Sequence, residues 1–260
     1  MKMLRSVIIG VMAVASASLI SAATQAAEAA KTVVLVHGAF ADGSSWNKVI
    51  PILQANGLKT ISVQNPLTSL SDDIKFTKRA LAEAEGPVVL VGHSWGGVVI
   101  TEAGLNDKVS SLVYISAFAP EKGEHIHDIL TEMHGERKIA KVDGFKTPIV
   151  DKDGFIRLSE ETIVTYFAPD IPEAEAKLIA AGQGRLHKDA LDQMPAFAAW
   201  KTKPSWFIVS ANDQMIAPDV LRATAEEIGA KVTELPTSHV PMLAKPEEVA
   251  QVILEAAVGE

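Results

Sequence analysis

Apolar and polar positions alternate in blocks along most of this chain. Thr32 to Val36 is a short β-branched run between Lys31 and His37-Gly38. Such an unbroken run predicts a strand buried on both faces. Ser44 to Ala55 carries Trp46, Val49, Ile50 and Leu53 at helical spacing, with Gly57 as its stop. Thr60 to Val63 then reads as a strand, Asp72 to Ala84 as a helix closed by Gly86-Pro87, and Pro87 to Val91 as a third strand. A helix over Trp95 to Leu105 and a strand over Leu112 to Ser116 follow. The rhythm breaks over residues 120–203, a polar stretch rich in His, Gly and Pro with no strand of the buried kind. It resumes with a strand at Ser205 to Val209, a helix at Pro218 to Ile228 and a strand at Lys231 to Leu235. A last helix, Pro246 to Ala257, sets Val249, Val252, Ile253 and Ala256 on one face.

Strands and helices in this order predict an α/β fold: a mostly parallel six-stranded sheet with helices on both faces. The interruption at 120–203 is long enough for a helical cap over the sheet's C-terminal edge, where open α/β sheets hold their ligands. Residues 1–30 obey a different rule. Lys2 and Arg5 precede an apolar run from Val7 to Ile20, and a small, Ala-rich stretch follows. That is the anatomy of a secretory signal peptide, cleaved after Ala26 or as late as Ala30. The apolar run is too short to span a bilayer, which takes roughly 20 residues. Arg5 has no arginine beside it, so the general secretory route is expected, with a periplasmic or secreted product and no stable membrane insertion after cleavage. Residues 31–260 then form one α/β domain.

Composition narrows the chemistry. The chain has no cysteine, which removes thiol nucleophiles, thiolate zinc sites and disulfides together. Acidic residues outnumber basic ones by 32 to 24, against the basic surface that nucleic acid requires.

The chemistry concentrates at Gly92-His93-Ser94-Trp95-Gly96, between a strand and a helix. A serine at so sharp a turn projects its hydroxyl clear of the sheet, and the flanking glycines permit close backbone packing. A plain helix-capping serine would not need glycines on both sides. The hydroxyl needs a base. Of seven histidines only His239 lies in a loop just after the last strand, at the same sheet edge. The acid that orients it is expected at Asp213, in the turn after Trp206 to Val209. Asp219 is the rival at a helix start, and Glu121 a more distant one. Two backbone N–H groups, those of Trp95 and Ala39, are placed to form an oxyanion hole. His37 is assigned a structural bond within the loop after the first strand.

These motifs resemble the α/β-hydrolase superfamily over essentially all of residues 31–258. The start directly at Thr32 is similar to the branch of plant methylesterases and hydroxynitrile lyases. The resemblance implies a Ser-His-Asp esterase acting on small-molecule esters, no cofactor, and a cap that sets specificity. The lyases of that branch carry a threonine shortly after the first strand and a lysine after the histidine. Here those positions read His37-Gly38-Ala39 and His239-Val240, which favours ester hydrolysis. Lyase-like or cofactor-free haloperoxidase-like chemistry, or a binding protein on this scaffold, are the alternatives. Glu124-His125-Ile126-His127-Asp128, with His134 nearby, offers metal-ligand types but reads as a solvated cap segment, so no metal is assigned. Phe40, Phe118, Trp200 and Met242 are expected to line an apolar pocket, as Trp95 does.

Overall fold

The computed structural model describes residues 29–259, so the leader expected at 1–26 lies outside the described residues. Along the chain come β1 (Thr32–Val36), α1 (Ile50–Ala55), β2 (Lys59–Val63), α2 (Leu70–Glu83), β3 (Val88–His93), α3 (Trp95–Ala103) and β4 (Val109–Ile115). The inserted segment holds α4 (Ile126–Gly135), β5 (Ile149–Val150), β6 (Phe155–Arg157), α5 (Glu160–Thr162), a π-helical turn over Ile163–Phe167, α6 (Glu173–Gly182) and β7 (Leu186–His187). The chain then returns through β8 (Ser205–Ser210), α7 (Pro218–Glu227), β9 (Lys231–Leu235), α8 (Pro241–Ala244) and α9 (Pro246–Val258).

The main sheet is six-stranded and parallel, in the order β2-β1-β3-β4-β8-β9. Its strands β1, β3 and β8 are buried along their whole length because both faces are covered, which is why they read as nearly continuous apolar runs. The two edge strands open with Lys59 and Lys231 and are partly exposed. Charged edges of this kind discourage pairing with another sheet. Every chain segment leaving the C-terminal ends of β1, β3, β8 and β9 therefore emerges along one rim. The six strands and the helices between them follow the sequence pattern closely. One helix does not: Ser44 to Ala55 divides into a 3-10 turn over Gly43–Trp46 and the short α1. The cause is Pro51, which lacks an N–H and belongs in the first turn of a helix rather than its middle.

The segment between β4 and β8 carries helices, and with them an antiparallel sheet β5-β6-β7 that the sequence reading did not anticipate. Its hairpin turns at Asp151-Lys152-Asp153-Gly154, where Asp151 Oδ1 accepts the N–H groups of Asp153 and Phe155 and Gly154 takes φ +87°. Strands of two and three residues are too short to show a period of two. The insertion is clasped at its base. Trp200 Nε1 donates to the Pro120 carbonyl at 3.1 Å, Lys201 pairs with Glu121 at 2.6 Å, and Gly123 N–H reaches the Pro195 carbonyl. Among the described residues no helix is long and apolar enough to cross a membrane.

Candidate active site

Ser94 sits where β3 turns into α3, with φ 51° and ψ −118°. A left-handed φ on a residue with a Cβ costs of order 1–3 kcal/mol and persists only where the surroundings enforce it. Here they do. Ser94 N–H donates to the Ile115 carbonyl at 3.1 Å, and Gly97 N–H donates back to the Ser94 carbonyl at 2.9 Å. The glycines leave no room for anything larger. A Cβ at Gly96 would lie 2.5 Å from the Val36 carbonyl oxygen, and one at Gly97 would collide with the carbonyl of Phe118. The Ser94 hydroxyl makes no capping bond to α3, so helix capping does not account for the serine.

Across the rim, the loop after β9 carries His239. Its Nδ1 lies 2.6 Å from Asp213 Oδ2, and both side chains are buried. The other carboxylate oxygen accepts the N–H groups of Met215 at 2.7 Å and Ile216 at 3.0 Å. A carboxylate only accepts, so Nδ1 carries a hydrogen, and in the neutral imidazole Nε2 is then the bare nitrogen. Asp213 is thus fixed by its own turn and spends its free oxygen on His239. The rivals are elsewhere: Asp219 binds Arg222 on the surface, and Glu121 pairs with Lys201 at the base of the cap.

The residue before the serine holds the base from below. His93 Nε2 donates to the His239 carbonyl at 2.8 Å, and the two rings lie 4.8 Å apart. Complete burial keeps His93 neutral, well below the ordinary imidazole range. His37 joins two loops: Nδ1 donates to the Gly38 carbonyl, while Nε2 accepts the N–H of Asn65. Burial lowers its pKa too. Trp95 is anchored from the side, its indole N–H donating to Asp73 Oδ2 at 2.7 Å, while Asp73 Oδ1 accepts Leu67 N–H. Burial pushes the Asp73 carboxyl up to about 6 against those two bonds. Among the described residues no acceptor takes the backbone N–H of Ala39 or of Trp95.

Ser94, His239, Ala39 and Trp95 all face one cavity of about 170 Å³. Its walls are apolar, aliphatic side chains such as Leu130 and Ile216 alternating with rings: Phe40 and Phe118 from the core loops, Phe145 and Phe167 from the cap. Phe40 and Phe145 lie 5.9 Å apart, and Phe167 sets its edge against the His239 ring at 5.2 Å. Two of the residues expected here do not line the cavity. Met242 is fully buried in α8, the helix that follows the His239 loop, and Trp200 is committed to the cap's base. His125 caps α4, whereas His127 reaches the cavity wall. The sequence reading missed Phe145, Phe167, His127 and Met215 as lining residues. For Met215 a signal existed, since a turn aspartate commonly bonds the N–H two residues on. The cap residues carried none, because the cap has no repeating period.

A family model described as the alpha/beta hydrolase family matches residues 33–252. The chain belongs to the α/β hydrolase family. Pyrethroid hydrolase from Sphingobium wenxiniae is 27% identical over 86% of this chain and 87% of that protein. Methylesterase 1 from Arabidopsis thaliana is 25% identical over 86% of this chain and 95% of its own length. Among solved structures, polyneuridine aldehyde esterase superposes with a TM-score of 0.74 at 20% identity, covering 86% of this chain and 98% of that one. That likeness is one of fold.

Proposed function

We propose that this α/β hydrolase is a carboxylesterase acting on small-molecule esters, with Ser94 as nucleophile, His239 as base and Asp213 as its orienting acid. The observation that carries this reading is the opening of a strained serine elbow and a buried His–Asp pair into one apolar cavity. In the proposed cycle the bare Nε2 of His239 takes the Ser94 proton as Oγ attacks the ester carbonyl. The backbone N–H groups of Ala39 and Trp95 hold the oxygen that becomes negative. The C–O bond then breaks, the alcohol leaves with the proton from His239, and water releases the acid by the same route. Relatives named as methylesterases and as a pyrethroid hydrolase support ester chemistry. A cavity near 170 Å³ suits one ring or a short acyl chain, since about 150 Å³ of apolar space houses benzene. Turnover of p-nitrophenyl acetate, butyrate and octanoate, alongside a serine-directed fluorophosphonate, tests the reading. Expected are labelling confined to Ser94 and rates that fall as the acyl chain lengthens; no turnover and no label would sink it.

The leader-like run at residues 1–30 supports export by the general secretory route, with cleavage after Ala26. N-terminal sequencing of the exported protein should then begin at Ala27.

A further inference from the structure

The loop carrying His239 is held from two sides. From the core, Thr237 Oγ1 meets Ser210 Oγ at 3.0 Å, Asn212 N–H donates to the Thr237 carbonyl, and His93 holds the His239 carbonyl. From the cap, Asp170 receives both donors of Ser238: the backbone N–H at 2.5 Å on Oδ2, and the hydroxyl on Oδ1. Ser238 is buried and directly precedes His239, so the carboxylate fixes the backbone one residue before the base. The sequence around the carboxylate is built for this. In Phe167-Ala168-Pro169-Asp170-Ile171-Pro172 two prolines restrict the chain on either side, and Ile171 is buried. Phe167, three residues earlier, is the ring that packs edge-on against His239. One stretch of cap therefore contacts the base's ring and the backbone just before it at once.

We propose that Asp170 is a positioning residue for His239, making the cap part of the machinery that activates Ser94. This rests on the esterase reading above. A misplacement of about 1 Å at a base can cost of order 100-fold in rate. Asp170→Ala should accordingly lower kcat by roughly 10- to 100-fold with KM changed by no more than about threefold, and slow fluorophosphonate labelling of Ser94 in proportion. Asp170→Asn keeps an acceptor oxygen and should recover most of the loss. In a double-mutant cycle, Ser238→Ala should cost less in the Asp170→Ala background than alone, because the hydroxyl has lost its partner.

The measurement is kcat, KM and labelling rate for wild type and these variants, taken well below each protein's Tm. Wild-type kcat and labelling in Asp170→Ala, or a change in KM alone, would overturn the proposal and leave the esterase reading standing. So would additive costs in the cycle. If Asp170→Ala does not fold, Asp170→Asn and Ser238→Ala carry the test, each expected to slow labelling by about two- to tenfold; wild-type rates in both would overturn it. Absence of turnover and labelling in the wild type would remove the esterase reading, and this inference with it.

Discussion

The sheet rim and the cap face each other across one cavity, yet they are made by different rules. On the rim, the groups proposed to act on the ester bond are fixed by backbone geometry and buried hydrogen bonds: Ser94 by its enforced φ, Asp213 by two N–H donors, and His239 by the Asp213 carboxylate and the His93 ring. On the cap side the wall is side-chain surface, with Phe145 partly exposed and Phe167 buried. Backbone-enforced geometry resists perturbation and suits chemistry that must not drift. A wall of side chains can change shape by single substitutions, which suits selection among substrates. Rim substitutions should therefore fall on rate and cap substitutions on preference, with Asp170 a cap residue proposed to behave like the rim.

The sharpest test of that division is Ser94→Ala, which should fold normally and lose a factor of about 10⁴ or more in kcat. A cap variant with an equal loss and an intact fold would break the comparison. Next comes Asp213→Asn, expected to cost about 10⁴ in kcat by presenting the wrong hydrogen to His239, whereas Asp219→Asn should leave kcat within about twofold. Parallel kinetics of the two variants decide between them.

Smaller, and in stability rather than rate, is the burial of Asp73. The folded carboxyl holds its proton up to about pH 6, while the unfolded one releases it near 3.8. Between those values the native state binds more protons, so this group's contribution to stability falls as pH rises through the window and stays low above it. Asp73→Asn lacks that loss. Its stability relative to wild type should improve by about 2–3 kcal/mol from pH 4 to pH 7, read from urea midpoints at matched pH. A pH-independent difference would contradict the account. Smallest of all is Phe145→Ala, at the cap wall. It should leave acetate turnover unchanged and raise KM for aryl esters by about fivefold, close to 1 kcal/mol.

The same contrast explains what the sequence could reveal. The strands of the sheet were legible because burial on both faces writes itself as an apolar run, as in Thr32–Val36 and Ser205–Ser210. The elbow was legible because Gly92, Gly96 and Gly97 are required by carbonyls within 2.6 Å or less of where a Cβ would stand. Asp213 and His239 could be chosen by topology alone, since both follow strands at one rim. Met242 misled because a position just after the histidine loop predicts proximity but not direction; Pro241 starts α8 and turns the side chain into the core. The cap was least legible. Its short strands pair through a local hairpin and through β7, some 30 residues away, and Asp170 meets Ser238 across 68 residues. No local pattern records a contact of that range.

The clasp at Trp200 and Pro120 has an evolutionary consequence. Because the two ends of the 84-residue excursion are clasped to each other, Trp200 to Pro120 and Lys201 to Glu121, it can lengthen, shrink or be exchanged without disturbing strand order. Loop closure adds little, as each doubling of length costs only about 0.6 kcal/mol. A lineage carrying this scaffold can therefore trial new cap modules over an unchanged reaction centre. On the proposal above, a replacement that keeps the full rate must still present an acceptor to Ser238.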